Sequence, residues 1–323
     1  MDAVAARLPP MARTFEAAPG ITAIDTRMFS RENVTSAYLV DGPEPALIET
    51  GSTLCVNEIG QGLEELGVGP GDLAHIVVTH IHLDHAGGAG AMASRFPSAT
   101  VWVHERGAPH LADPTKLIAS AERIYGVDGL RELFGAVEPV PEERIRALTD
   151  GDVISLGGDR TLTALYTPGH AGHHVCLADS ATGGVFVGDA FGVFLPDVGV
   201  LRPATPPPEF DLEQAIASIR RVRERRPSRI LFSHFGPSSA VEELCGLAVA
   251  RLEHWTDVVR TALERTEDLD EIVAILREGT VGELIPDPSE RSDVEERYEL
   301  LTSYEMNALG ITRYLQKREE RGG

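Results

Sequence analysis

Short apolar runs bounded by turn residues fill the first two-thirds of the chain. Thr22–Met28, Ser36–Asp41 and Pro45–Thr50 read as an antiparallel run of strands, with Asp41-Gly42-Pro43 as the turn between the last two. Cys55–Leu66 then takes helical spacing and stops at Gly67. His75–Thr79 and Ala99–His104 are β-branched runs that predict buried strands, with a small-residue helix over Ala86–Phe96 between them. Pro109–Glu138 is mostly helical in pattern, and its place between two strand groups predicts an insertion over one sheet edge. A second strand series follows at Val153–Leu156, Thr161–Tyr166, His174–Ala178, Val185–Val187 and Ile230–Ser233. Before the last of these, a helix is predicted over Asp211–Arg225, with Asp211 as its cap after a proline-rich loop, Thr205-Pro206-Pro207-Pro208.

Beyond Gly236 the period becomes helical. Leu244, Leu247, Leu252, Trp255, Val259 and Leu263 form a stripe within Val241–Arg265, and Leu269–Arg277 and Ser292–Gln316 continue as helices. The pattern predicts an α+β domain over residues 1–237 and a helical C-terminal extension over 238–323. The extension either docks on the main domain or mediates contacts in a homodimer.

Composition narrows the function. Residues of apolar type make up 42% of the chain, ordinary for a globular protein. The formal charge of −21 repels phosphate backbones and anionic bilayers, which argues against a nucleic-acid or membrane partner and for a small-molecule substrate. Cys55, Cys176 and Cys245 are isolated, so neither a disulfide framework nor a thiolate zinc site is expected. Met1–Met11 lacks the basic start and apolar core of a signal peptide, and no apolar run is long enough to span a bilayer; the cytoplasm is the default location.

Candidate chemistry concentrates in His80-Ile81-His82-Leu83-Asp84-His85. Three imidazoles and a carboxylate within six residues suit zinc, iron or manganese. With only 11 histidines in the chain, such a cluster is a poor fit to a chance polar loop. The run follows a strand and precedes glycines, so its side chains can converge where the chain turns. Three more candidates follow apolar strands: His170 after Tyr166-Thr167-Pro168-Gly169, Asp189 after Val185-Phe186-Val187-Gly188, and His234 after Ile230-Leu231-Phe232-Ser233.

With these segments in this order, the chain resembles the metallo-β-lactamase superfamily, in particular its glyoxalase II-like hydrolase branch. The matching motifs are Thr79-His80-Ile81-His82-Leu83-Asp84-His85-Ala86-Gly87-Gly88, Thr167-Pro168-Gly169-His170, Gly188-Asp189 and Ser233-His234-Phe235-Gly236, and they organise roughly residues 20–237. The resemblance implies an αββα sandwich with the metals at one edge between the sheets. It implies that His80, His82 and His170 hold one ion, that Asp84, His85 and His234 hold a second, and that Asp189 bridges both. It implies two divalent ions, zinc first, with iron or manganese as alternatives. It implies a dinuclear hydrolase that cleaves an ester, thioester or lactone of a small molecule by attack of metal-bound hydroxide, with Asp84 and Asp189 as ligands that also handle protons. His82 stands where flavodiiron-type relatives have Glu, which favours hydrolysis over oxygen or nitric oxide reduction. One departure is Glu49-Thr50-Gly51, where many relatives have Asp-Thr-Gly; Glu49 either supports the ligand loop with a longer reach or faces elsewhere.

Two other functions remain open at this point. A persulfide dioxygenase-like enzyme would use a single iron on His80, His170 and Asp189. A non-enzymatic binding protein would keep metals for structure, although structural zinc sites are usually closed and thiolate-rich. For substrate binding, Phe191 and Phe194 are candidate pocket walls and Tyr125 a candidate oxyanion donor, each weighed against plain packing. Tyr304, Met306 and Asn307 are weighed as residues that reach over the site from the tail, with helix packing preferred. The tail shows no evident basic cluster for an anionic substrate group.

Overall fold

The computed structural model describes residues 13–195, 197–284 and 291–322. The first sheet holds β1 (Thr14–Ala18), β2 (Ile21–Asp25), β3 (Ser36–Val40), β4 (Ala46–Ile48), β5 (His75–Val77), β6 (Thr100–His104) and β7 (Ile145–Leu148), in that spatial order. Its first four strands run antiparallel and the pairs from β4 to β7 run parallel. The second sheet contains β8 (Val153–Ser155), β9 (Thr161–Tyr166), β10 (Val175–Asp179), β11 (Val185–Gly188), β14 (Ile230–Phe232) and β15 (Gly236–Ser238), ordered β15-β14-β11-β10-β9-β8. A short hairpin, β12 (Val193–Leu195) with β13 (Val200–Arg202), stands apart.

The alternation along each strand sets the layers, because successive side chains point to opposite faces. Tyr38, Ile48 and Val77 from the first sheet meet Leu162, Val175, Phe186 and Leu231 from the second in one core between them. The intervening residues face outward. Leu47, Ile76 and Val101 pack under α1 (Val56–Glu65) and α3 (Ala89–Arg95). Leu165, Cys176, Val185 and Ile230 pack under α6 (Leu212–Glu224). The result is the αββα sandwich, followed by α7 (Val241–Leu263), α8 (Leu269–Leu284), α9 (Arg291–Leu301) and α10 (Tyr304–Gly322). Side chains of these last helices, among them Leu244, Trp255, Leu276, Tyr298 and Ile311, belong to the same apolar cluster as the outer face of the second sheet.

Several elements depart from the sequence expectation. β1, β7, β12, β13 and β15 have three to five residues each, too short to print a period on the sequence. The helix expected over Ser292–Gln316 is broken. α9 ends at Leu301 and Ser303 starts α10 by accepting a hydrogen bond from the Met306 amide at 3.1 Å, the geometry of an N-cap. The expected insertion is α4 (Ala108–Ala112) and α5 (Thr115–Phe134), the latter interrupted at Gly126, whose φ is 71°. The expectation for Met1–Met11 lies outside the described residues, and no helix among those described is long and apolar enough to cross a membrane.

Candidate metal centre

Each candidate ligand sits where a strand ends and the chain must turn. β5 runs into the His80–His85 segment, which closes with the single turn of α2 (Leu83–Ala86). His82 is still extended, with φ −61° and ψ 151°, while Asp84 and His85 lie in the turn and aim elsewhere. His170 follows β9, Asp189 follows β11 and His234 lies between β14 and β15. The glycines before two of them have steric reasons. A Cβ on Gly169 would stand 2.2 Å from the Ala215 amide nitrogen, and one on Gly188 would stand 2.5 Å from His174 Nε2.

The turns bring seven side chains into two adjoining groups. In the first, His82 Nδ1 lies 3.0 Å from His80 Nε2 and 2.9 Å from His170 Nε2. In the second, Asp84 Oδ2 lies 3.4 Å from both His85 Nε2 and His234 Nε2. Asp189 faces both groups: Oδ1 is 3.2 Å from His85 Nε2 and 3.4 Å from His234 Nε2, and Oδ2 is 3.6 Å from His170 Nε2.

The donor chemistry fits a pair of cations. His85 Nε2, His234 Nε2 and Asp189 Oδ1 are buried with no hydrogen-bond partner, an arrangement that costs free energy unless something else satisfies their lone pairs. Burial, then the neighbouring imidazoles, holds His80 and His82 well below the usual histidine pKa, in the neutral form that binds metal. His170 is lowered too, again chiefly by burial. Around His85 burial opposes charge, but Asp189, Asp84 and Glu49 outweigh it and raise its pKa well above the ordinary value. The second group is therefore the more anionic of the two.

A shell of buried polar residues fixes these side chains. Glu49 answers the question its sequence position left open: it faces the site. Its Oε1 accepts hydrogen bonds from Thr79 Oγ1 at 2.6 Å and Ser233 Oγ at 2.9 Å and lies 3.2 Å from His85 Nδ1. One carboxylate thus ties together the strand ends that carry His80, His85 and His234. His170 Nδ1 donates to the Ala204 carbonyl at 2.9 Å, which leaves Nε2 with its lone pair toward the site. His174 accepts from the Asp189 amide through Nε2 at 3.2 Å and pairs through Nδ1 with Thr167 Oγ1 at 2.9 Å. It is a buried positioning residue for Asp189, a role beyond the strand entry read from the sequence. Thr79, Ser233 and His174 carry one available signal: each is a polar residue at the end of an apolar strand.

The family model of the metallo-beta-lactamase superfamily matches residues 31–234, more than half of the chain, from just before β3 to His234. The chain belongs to this superfamily. It is similar to the metallo-beta-lactamase fold-containing protein ST1585 of Sulfurisphaera tokodaii, 32% identical over 169 residues, 51% of this chain and 61% of that protein. The solved structure of ST1585 superposes with a TM-score of 0.65 at 22% identity, covering 91% of this chain and 98% of that one. The chain is also similar to the acyl-coenzyme A thioesterase MBLAC2 of Gallus gallus, 29% identical over 53% of this chain and 62% of that protein. With the N-acyl homoserine lactonase AttM of Rhizobium radiobacter it shares 32% identity over 38% of this chain and 40% of that protein. The chain thus spans less than two-thirds of the length of each of these three relatives in sequence.

Within this metallo-beta-lactamase superfamily chain, His82, Asp84, His170 and Asp189 open onto a cleft of about 440 Å³. Its walls come from α5, from the loop at Ala204–Glu209 and from the α9–α10 junction, where Met306 contributes. Tyr125 lines the cleft. Phe191 and Phe194 do not; they are 2% exposed and pack on Phe232 in the outer core, so their expected place in the pocket is corrected. Their strand turns its apolar side chains inward, and what it offers the site is backbone: Phe194 donates its amide to the His234 carbonyl at 2.8 Å. Tyr304 and Asn307 are buried beside the cleft rather than in it. Nor does the tail lack a basic group, since Lys317, Arg318 and Arg321 of α10 gather with Arg106 around a second, smaller cleft.

Proposed function

We propose that the chain is a dinuclear metal-dependent hydrolase of a small ester, thioester or lactone. His80, His82 and His170 would hold one divalent ion, Asp84, His85 and His234 the other, with Asp189 shared. Zinc is the first choice, and iron or manganese suit the same nitrogen and oxygen donors. Such ions lower the pKa of water toward about 7 and polarise a carbonyl oxygen. The observation that carries the reading is Asp189, whose two oxygens face separate histidine groups on the floor of an open cleft.

This chain's residues supply the rest. The cleft admits a substrate beside His82 and Asp84 and shields it with Leu83, Leu117 and Phe134. Glu49 and His174 keep the ligands in register, so little reorganisation is needed as charge develops. Asp84 and Asp189 are the carboxylates within reach to hold a proton during turnover. The Tyr125 hydroxyl, on the cleft wall, is a donor available to a developing oxyanion. The named activities of MBLAC2 and AttM, a thioesterase and a lactonase, support this choice of bond. A one-iron oxygenase would use His80, His170 and Asp189 alone; the second convergent group speaks for the dinuclear hydrolase instead.

The test is a panel of acyl thioesters and lactones assayed before and after chelation. Turnover that disappears with the metal and returns with added zinc is expected. Full turnover by metal-free protein contradicts the proposal.

A further inference from the structure

Lys116 and Arg123 both line the cleft, on the edge of α5, and both are exposed. Neither makes an ion pair or hydrogen bond with another described residue. Asp113, three residues before Lys116, directs its Oδ1 to the amide and hydroxyl of Thr115, at 3.1 and 2.6 Å, and Glu122, beside Arg123 in the helix, makes no ion pair with it. Arg95, Arg160, Arg202 and Arg221 are paired with carboxylates, whereas the exposed Arg131, Arg220 and Arg226 are as unpaired as these two; what sets Lys116 and Arg123 apart is that they line this cleft. In the smaller cleft, Lys317 donates to the Pro208 carbonyl at 2.7 Å and Arg318 pairs with Glu213 at 2.7 Å, which leaves Arg321 as its unpaired cation among the described residues. The chain has two lysines in all, and Lys116 is the one beside the candidate metal centre.

Apolar side chains share the cleft wall with these cations, alongside Ser120, Glu299, Thr302 and Ser303. Leu117, Ala121 and Ile124 repeat at helical spacing along α5, facing Phe29, Leu300 and Met306. Ile124 is 46% and Leu300 37% exposed, an apolar presence that solvent alone does not reward. Lys116 and Arg123 are seven residues apart, two helical turns and about 10 Å of rise, on the stretch before the irregular Gly126. That spacing accommodates two separate negative charges better than a single carboxylate.

On the hydrolytic reading above, we infer that the substrate is an apolar acyl ester or thioester whose leaving group carries more than one phosphate. The acyl chain lies on the Leu117–Ile124 wall, and Lys116 and Arg123 meet the phosphates. Water adds its oxygen to the acyl carbon, the bond from that carbon to the leaving oxygen or sulfur breaks, and the leaving group departs with a proton. The products are a carboxylic acid and a phosphate-bearing alcohol or thiol.

A pair of thioesters with one acyl group tests this claim: octanoyl-coenzyme A against octanoyl-N-acetylcysteamine, which lacks the phosphates together with the adenosine and most of the pantothenate arm, so that the double variant K116Q/R123Q is what assigns the difference to the two cations. The expected kcat/KM favours the coenzyme A ester by about tenfold, what two solvent-exposed charge contacts provide. In the double variant K116Q/R123Q that ratio falls toward one, chiefly through KM, and in the native protein it shrinks as salt is added. Equal kcat/KM for the two esters, or a ratio the double variant leaves intact, overturns the inference while leaving the hydrolase reading standing. If neither ester is hydrolysed, that reading fails for thioesters, and calorimetry with the free thiols still tests the subsite. Tighter binding of coenzyme A than of N-acetylcysteamine, lost in K116Q/R123Q, supports it, and equal binding overturns it.

Discussion

Glu49 is where one side chain has the widest reach. It is 2% exposed, sits at a positive φ of 66° and collects Thr79, His85 and Ser233 on one carboxylate. Replacing it by Gln keeps an acceptor but removes the charge facing His85; replacing it by Ala takes the acceptor from the Ser233 hydroxyl and leaves Thr79 Oγ1 with only His80 Nδ1, at 3.0 Å. Metal affinity measured by chelator competition is expected to fall about tenfold in E49Q and closer to 100-fold in E49A, the range for lost support of a ligand. Unchanged affinity in both variants contradicts the assigned role. At this scale the histidine-rich run was legible because imidazole is scarce and the spacing dense. Glu49 was ambiguous because the sequence does not show which way a side chain turns. Phe191 and Phe194 misled for the same reason: nearness to Asp189 along the chain says nothing about which face of a strand an apolar ring takes.

The elements around the cleft are tied by buried polar contacts. Asn307 of α10 accepts from the Thr205 amide at 3.0 Å and hydroxyl at 2.7 Å, and donates to Thr302 Oγ1 at 2.8 Å. It thereby joins the α9–α10 junction to the loop whose Ala204 carbonyl orients His170. The approach is close enough that a Cβ on Gly310 would stand 1.7 Å from the Thr205 carbonyl oxygen. Asn307→Ala leaves the Thr205 amide unsatisfied, its hydroxyl keeping only the Asn307 carbonyl at 3.3 Å, and is expected to cost about 1–3 kcal/mol in denaturant unfolding. A variant as stable as the native chain contradicts this. β5 and β6 were readable because each lies in a longer β-branched run, His75–Thr79 and Ala99–His104. β12 and β13 were not, since each is three residues with no longer β-branched run around it, and the break before α10 was hidden because no Pro or Gly marks Thr302-Ser303. The cap at Ser303 is the local signal that marks it.

At the scale of the molecule, two sheets enclose one core, and a second core joins the outer face of the second sheet to the C-terminal helices. The strand ends along one edge of this sandwich deliver all seven candidate ligands, while α5 and the α9–α10 junction wall the cleft above them. The sandwich was legible through the resemblance that the ordered ligand motifs carry; the pattern of strand series and helices by itself indicated only a mixed domain with a helical tail. The use of the tail as a cleft wall was not, because docking depends on which faces find each other in space. The central claim is that the two ligand groups each hold a cation. Metal analysis of protein purified without chelator, counted per chain, tests it most directly. One ion for each group, two per chain, with one lost when Asp84 and His234 are both replaced by Ala, is the predicted result. A native chain that binds one ion or none, with zinc in excess, would contradict the account.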